Sequence, residues 1–345
     1  MSDIGIIAIG RNEGERLRGC LASALAGGCT VVYVDSNSTD GSAALARQMG
    51  AQVVDLDMSL PFSAARARNA GFQRLLELAP AVRYAQFVDG DCQVVPGWIE
   101  QARAALDSRD DVAVVCGRRR ERFPEESVYN LIADIEWNTP AGETKSCGGD
   151  AMMRAAAFAQ ATGFDPTIVA GEEPELCQRL RAAGWKILRL DAPMTLHDSA
   201  MLHFRQWWKR AVRSGYGAAD VATRFGSQGL FVAQVRSART WVYGWPLLMV
   251  AVALAMLPWA GPKWAIAALG IIALALPAQM LRTAARNRRR ATSWADAIAY
   301  GILTMLGKWA NVIGQLQYAR DRRAGKHARL IEYKTAVVIK AAGTD

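Results

Sequence analysis

The chain has 345 residues, room for two domains or for one domain with an appendage, and half of them are apolar, so a full core is possible. Its 41 basic and 32 acidic residues leave a formal charge of +9, which calls for an anionic partner: nucleotide, lipid headgroup or nucleic acid. Six cysteines without a CxxC spacing argue against a zinc site and for a reducing compartment, and the N-terminus, a short apolar run followed at once by polar residues, has no cleavable signal peptide.

In chain order, residues 4–9 are a β-rich apolar run, and Asn12-Glu13 opens an amphipathic helix carrying Leu17, Leu21 and Leu25. Residues 31–34 predict a second strand that ends in Asp35-Ser36-Asn37-Ser38-Thr39-Asp40-Gly41, a dense set of turn and N-cap residues, before a helix over 43–49. A third strand over 53–56, a helix over 63–78 and a fourth strand over 84–89 follow. Strands separated by helices of this length form βαβ units and a mainly parallel sheet. The fourth strand stops on Asp89-Gly90-Asp91, which presents two carboxylates at the carboxyl edge of the sheet, where open α/β folds bind ligands. Hard oxygen donors at that edge suit Mg²⁺ or Mn²⁺ holding a diphosphate.

Asn12 and Glu13, then Asp35, then Asp89 and Asp91 stand at three strand ends that can meet at one edge. Neither GxGxxG nor GxxxxGK[ST] is present, so the phosphate-cradling glycine loops of dinucleotide and P-loop folds have no counterpart here. A diphosphate is then most simply held by metal on Asp91, helped by Arg66 or Arg68.

Ile7-Ala8-Ile9-Gly10-Arg11-Asn12-Glu13, Val34-Asp35-Ser36-Asn37-Ser38-Thr39-Asp40-Gly41, Ala67-Arg68-Asn69-Ala70-Gly71 and Val88-Asp89-Gly90-Asp91 resemble, in that order, the motifs of family 2 glycosyltransferases. The resemblance covers roughly residues 3–200 and implies the α/β GT-A fold and a nucleoside-diphosphate sugar donor, UDP-linked by expectation. It implies that Asp35 recognises the base, Asp89 the ribose region and Asp91 the cation, with Asn12, Glu13 and Arg68 near the nucleotide.

Beyond these motifs, Glu136-Trp137 and Cys147-Gly148-Gly149-Asp150 precede a strand over 151–154. Paired glycines let a backbone approach a ligand, so Gly148, Gly149 and Asp150 are candidates for the donor or acceptor sugar. Gly171-Glu172-Glu173-Pro174 opens a helix, where acids are expected from the helix dipole alone. The stretch also resembles the family's Glu-Asp motif, which implies Glu173 as general base of an inverting transfer, with Glu172 as the fallback. His197, placed after a last strand over 187–190, is a candidate metal ligand or phosphate contact.

After residue 200 the composition changes. Phe204, Trp207, Trp208, Ala211 and Val212 alternate with Arg205, Lys209, Arg210 and Arg213 at helical spacing, the pattern of a helix lying among lipid headgroups. Uncharged apolar runs over 241–260 and 264–281 flank the turn Ala260-Gly261-Pro262-Lys263 and predict a transmembrane hairpin. Arg236 and Arg239 before it, and Arg282, Arg286, Arg288, Arg289 and Arg290 after it, place both ends in the cytoplasm by the positive-inside rule. Residues 295–318 read as a helix on the membrane surface, because Ile298, Ile302, Leu306, Trp309, Ile313 and Leu316 form one stripe. Thr304, Lys308, Asn311 and Gln315 form a polar one, in which Lys308 is a candidate for lining an acceptor channel. Arg320, Arg322, Arg323 and Lys326 follow, so the positive charge collects beside the membrane and favours anionic lipid over nucleic acid.

The expected organisation is a catalytic domain over 1–200, interface helices over 201–240, the hairpin over 241–282, and an interfacial helix with a basic tail over 283–345. The expected function is sugar transfer to a lipid-linked or membrane-embedded acceptor in envelope glycan synthesis, at the inner membrane with the catalytic domain facing the cytoplasm. A polyprenyl-phosphate sugar synthase is the first alternative. A sugar nucleotidyltransferase, which needs an N-terminal glycine-rich loop, and a non-catalytic membrane scaffold stand behind it.

Overall fold

A computed structural model describes residues 3–226 and 229–325. The expected basic residue Lys326 and the tail after it lie outside the described residues. The chain divides into two compact units. Of the described residues, the first comprises those up to Arg122 and 137–200; the second comprises 123–136 and those from Met201 to 325.

The first unit is built on one sheet. Strands β1 (Ile4–Gly10), β2 (Thr30–Asp35), β3 (Gln52–Asp55) and β4 (Tyr84–Asp89) pair in parallel in the order β3-β2-β1-β4. Helices α1 (Glu15–Leu25), α2 (Ser42–Gln48) and α3 (Ala64–Leu78) make the crossovers. β1 is buried along nearly its whole length, as a central parallel strand covered on both faces requires. Beyond β4 the sheet becomes mixed: β8 (Ala151–Arg154) runs antiparallel to both β4 and β6 (Val112–Glu121), while β9 (Lys186–His197) is parallel to β6. Short β5 (Cys92–Val94) and β7 (Gly142–Glu143) pair antiparallel to β9. Helices α4 (Trp98–Ser108), α6 (Ala155–Gln160) and α7 (Glu172–Ala182) complete the unit.

Register decides where the acids fall. Gly10 pairs with Asp35 and Ile9 with Asp89, so the ends of β1, β2 and β4 lie level at one edge. β1 leads to β2 on one side and has β4 on the other, which makes this edge the topological switch point where open α/β sheets open a ligand crevice.

The second unit is helical. Most of α5 (Val128–Trp137) belongs to it, with α8 (Phe204–Phe225), α9 (Val232–Arg239), a π-helical turn over Thr240–Gly244, α10 (Trp245–Ala273), α11 (Ala275–Asn287) and α12 (Trp294–Arg323). Two stretches, Val232–Trp259 and Gly261–Asn287, are long and apolar enough to cross a membrane, and only 6% of the apolar window of each is buried. They part at Gly261, whose φ of +77° a side chain disfavours, in the turn expected from the sequence.

Helix α12 turns its stripes opposite to a soluble helix. Ile298, Ile302, Leu306, Trp309, Ile313 and Leu316 are all exposed, while the buried face combines Met305 and Val312 with the small residues Ala297, Gly301, Gly307, Ala310 and Gly314 and with Gln315. Glycine permits this packing: a methyl on Gly314 would collide with the Val212 carbonyl of α8, and one on Gly301 with the Met280 carbonyl of α11. Small residues at helix contacts and apolar ones outward are the pattern of helices solvated by lipid. The polar stripe is therefore an inner one. Lys308 donates to the Ser237 hydroxyl (2.8 Å).

Candidate active site

The loop after β1 and the loop after β2 are sewn together. The Asn12 amide donates to Ser38 Oγ (2.9 Å), and Asn12 Oδ1 accepts the Thr39 amide (2.8 Å). Asn12 achieves this at φ +56°, a left-handed conformation that asparagine tolerates better than most residues, and the helix begins later than expected, at Glu15. Asp35 is buried; its Oδ2 accepts the Ser38 amide (2.7 Å) and its Oδ1 the Tyr33 hydroxyl (3.1 Å). Both residues thus shape the rim of the crevice through the 36–40 loop. Glu13 pairs with Arg16 (3.1 Å) at the same rim.

Arg66 and Arg68 separate cleanly. Arg66 donates to the carbonyls of Asp57, Leu60 and Pro61, so it holds its own loop and is not placed as a phosphate ligand. Arg68, almost fully buried, bonds Asp89 Oδ1 and Glu172 Oε1, each at 2.6 Å. Burial alone would lower its pKa, but the charges of Asp89 and Glu172 outweigh it and drive the value up.

A second arginine, missed in the sequence, completes this network. Arg119 on β6 bonds Asp150 (2.7 Å) and approaches Asp89 Oδ2 (3.4 Å). Burial again lowers its pKa, and the charges of Asp150 and Asp89 reverse the shift, so the guanidinium stays charged. Asp150 is fully buried: it accepts the Asp89 amide (3.0 Å) and the Thr195 hydroxyl (2.7 Å) besides Arg119. Its place is behind the DxD turn, holding Asp89 and Arg119, and not against a sugar. Gly149 is where closeness matters, because a Cβ there would stand 2.9 Å from Asp89 Oδ2 and 3.0 Å from Arg68 Nη2. Gly148 has a φ of +87° and open space around it.

Asp91 lies deeper than Asp89. His197 is the last residue of β9 and not the follower of a shorter strand: β9 extends seven residues beyond the expected end at 190 and pairs His197 with Cys92. That pairing brings His197 Nε2 to 3.4 Å from Asp91 Oδ2, while Nδ1 lies 3.4 Å from Glu121 Oε2. Trp137 stands edge-on to the imidazole at 4.8 Å between ring centroids, and Arg119 lies over the same indole. Asp91, Cys92 and His197 offer ligand atoms within 4.8 Å of one another. Burial pushes the Cys92 thiol well above its usual pKa, which keeps it neutral and leaves a carboxylate and an imidazole as the ligating pair. One hard oxygen and one nitrogen fit a small divalent ion, with Mn²⁺ better served than Mg²⁺ by the imidazole.

The two glutamates at the start of α7 have different surroundings. Glu172 is committed to Arg68. Glu173 Oε1 accepts the Cys147 amide (2.5 Å) and contacts Cys177 Sγ (3.1 Å), and the two thiols lie 3.6 Å apart. Glu136 is absent from this edge and pairs with Arg210 in the second unit (2.9 Å).

Residues 6–159 match the family profile described as glycosyl transferase family 2. Among solved structures, a mannosyltransferase from Pyrobaculum calidifontis, PcManGT, in complex with GDP-Man and Mn²⁺, is similar over 91% of this chain and 87% of its own, at 18% identity and a TM-score of 0.58. S. aureus TarS residues 1–349 follow at 14% identity, 95% and 93% coverage and a TM-score of 0.48. A glucosyl-3-phosphoglycerate synthase from Mycobacterium tuberculosis with Mg²⁺ and UDP follows at 18% identity, 65% and 79% coverage and a TM-score of 0.48. At these identities the mannosyltransferase speaks for the fold. No curated protein sequence matches the chain.

Proposed function

We propose, for a chain whose residues 6–159 make it a member of glycosyl transferase family 2, that it moves a sugar with inversion from a nucleoside-diphosphate donor to a lipid-linked or membrane-embedded acceptor. It is a GT-A glycosyltransferase. The observation that carries the finer reading is the alignment of Asp35 and Asp89 at one sheet edge, with Asp91 buried just beyond Asp89 and His197 brought against it by β9.

Asp91 and His197 would hold Mn²⁺ or Mg²⁺. When bound, the ion supplies neutralising charge to the departing nucleoside diphosphate. Arg68 and Arg119 hold Asp89 from two sides and fix its orientation toward the donor. Asn12, Glu13 and Asp35 shape the rim where the nucleoside lies, and Gly149 lets Asp89 and Arg68 pack closely against the turn before β8. Glu173 accepts the proton of the acceptor hydroxyl as the new glycosidic bond forms. Its Oε1 is anchored by the Cys147 amide, while Glu172 has its charge taken by Arg68.

The acceptor reading draws on the second unit. The stretches Val232–Trp259 and Gly261–Asn287 cross the bilayer as a hairpin, α12 lies along its surface, and the arginines flanking the hairpin keep the catalytic unit in the cytoplasm. The burial of Glu173 among Cys147 and Cys177 favours one alternative, a polyprenyl-phosphate acceptor, whose oxygen is already ionised and needs less help from a base. A screen of nucleotide sugars with membrane lipid extract, run with Mn²⁺ and with Mg²⁺, tests the proposal. Metal-dependent transfer to lipid is expected; pyrophosphate release, or the absence of metal-dependent affinity for any donor, overturns it.

A further inference from the structure

Two pairs of arginines that the sequence sets more than 80 residues apart meet in the second unit. The first turns of the stretch Val232–Trp259 present Val232, Val235, Arg236 and Arg239 on one face, and the end of α12 presents Gln315, Tyr318, Arg322 and Arg323 on another. Together with Ala219, Ala222 and Thr223 of α8 they line a cavity of about 670 Å³. The spacings i, i+3, i+4 and i+7 explain why each helix contributes a continuous strip.

Four exposed guanidinium groups rim one cavity and concentrate positive potential there. The carboxylates on the two neighbouring helices α8 and α12 that lie within a few residues of the lining are engaged elsewhere, Asp220 with Arg224 at 2.8 Å and Asp321 with Arg320 at 3.4 Å. Among the described residues, none of the four lining arginines has an ion-pair partner. Arg239 is held by a neutral side chain, donating through Nε to Gln315 Oε1 (2.9 Å), and Gln315 is itself nearly buried. This arrangement aims a guanidinium without neutralising it. The remaining lining is mostly small, and in the sequence the apolar stretch begins directly after Arg239.

We propose that this cavity binds the phosphate of an anionic membrane lipid, with the arginines around the headgroup and the lipid's chains along the apolar stretch of Val232–Trp259. Guanidinium groups match phosphate oxygens in fork geometry, and a basic pocket between helices at the headgroup level is suited to a lipid phosphate. The inference rests on the proposed membrane association and goes beyond it by naming a site. It needs no part of the transfer chemistry.

The test uses the full chain in neutral detergent, titrated with phosphatidylglycerol, phosphatidylcholine and inorganic phosphate, with bound lipid read by native mass spectrometry. Phosphatidylglycerol should be retained at a concentration at least tenfold lower than phosphatidylcholine. Arg236→Gln combined with Arg322→Gln should abolish that preference, Arg236→Lys with Arg322→Lys should keep most of it, and the charge-matched pair Arg18→Gln with Arg74→Gln in the first unit should leave it intact. Equal retention of the two lipids by the parent protein, persistence of the preference in the double glutamine variant, or its equal loss in the charge-matched control overturns the proposal. Inorganic phosphate binding as tightly as phosphatidylglycerol overturns the lipid assignment. A protein that requires detergent yet shows no lipid preference defeats this site while leaving the membrane reading in place.

Discussion

The two units solve opposite problems with their polar groups. In the first, Arg68, Arg119, Asp150 and Glu172 are sunk beneath a sheet edge and tied to one another, while apolar side chains fill the core. In the second, glycine and alanine occupy helix contacts, and isoleucine, leucine and tryptophan face outward along α12. On the proposed membrane reading, the contrast follows from the surrounding medium. Water drives apolar groups inward and leaves buried ions to be justified by pairing, whereas lipid offers no such drive and rewards close backbone packing.

The largest expected effect breaks the first unit's side of that contrast. Asp91→Asn should lower turnover by at least about a hundredfold, because departure of the nucleoside diphosphate loses its charge stabilisation. Single-turnover kinetics on folded protein measure it, and a loss under threefold would refute the assignment. Glu173→Gln should cost about a hundredfold in transfer to a hydroxyl acceptor while donor affinity stays unchanged. Near-full activity would instead point to a phosphate acceptor.

A smaller effect sharpens the role of a residue that touches no substrate. Glu121 is buried, faces His197 Nδ1 and accepts the Ser199 amide (3.2 Å). A carboxylate on the outer nitrogen of a ligating imidazole fixes its tautomer and raises its basicity, so Glu121→Gln should weaken Mn²⁺ affinity by about 10–100-fold. Electron paramagnetic resonance titration of Mn²⁺ reads this without turnover; unchanged affinity would leave Glu121 a purely structural group. In the second unit, Gly314→Val should destabilise by about 1–3 kcal/mol, since the added carbons meet the backbone of α8. Thermal unfolding in detergent checks it against Gly270→Ala, where an added methyl meets nothing and little change is expected.

The first four strands and the DxD turn were legible because a parallel strand buried on both faces must be apolar along its length, and because acids that end such a strand stand out. Arg119 and Glu121 were not, although a signal existed. Both lie in the run Arg118-Arg119-Arg120-Glu121, which continues the apolar residues 112–116 as one strand and puts 119 and 121 on the same face by the period of two. Asp150 was singled out as a sugar contact because the glycines before it announced a close approach. What approaches is the DxD turn itself.

Local chemistry alone determined the alternation of strands and helices, the acids at the sheet edge, the turn at Gly261 and the two stretches apolar enough to span a bilayer, since each follows from periodicity or composition within a few residues. Pairings between distant segments needed the tertiary structure. The register of β9 carries His197 to Asp91, β6 brings Arg119 beneath Asp89, and glycines on α12 let that helix settle onto α8 with its apolar stripe outward. Such pairings depend on how whole faces fit together, and no neighbouring residue in the chain records that.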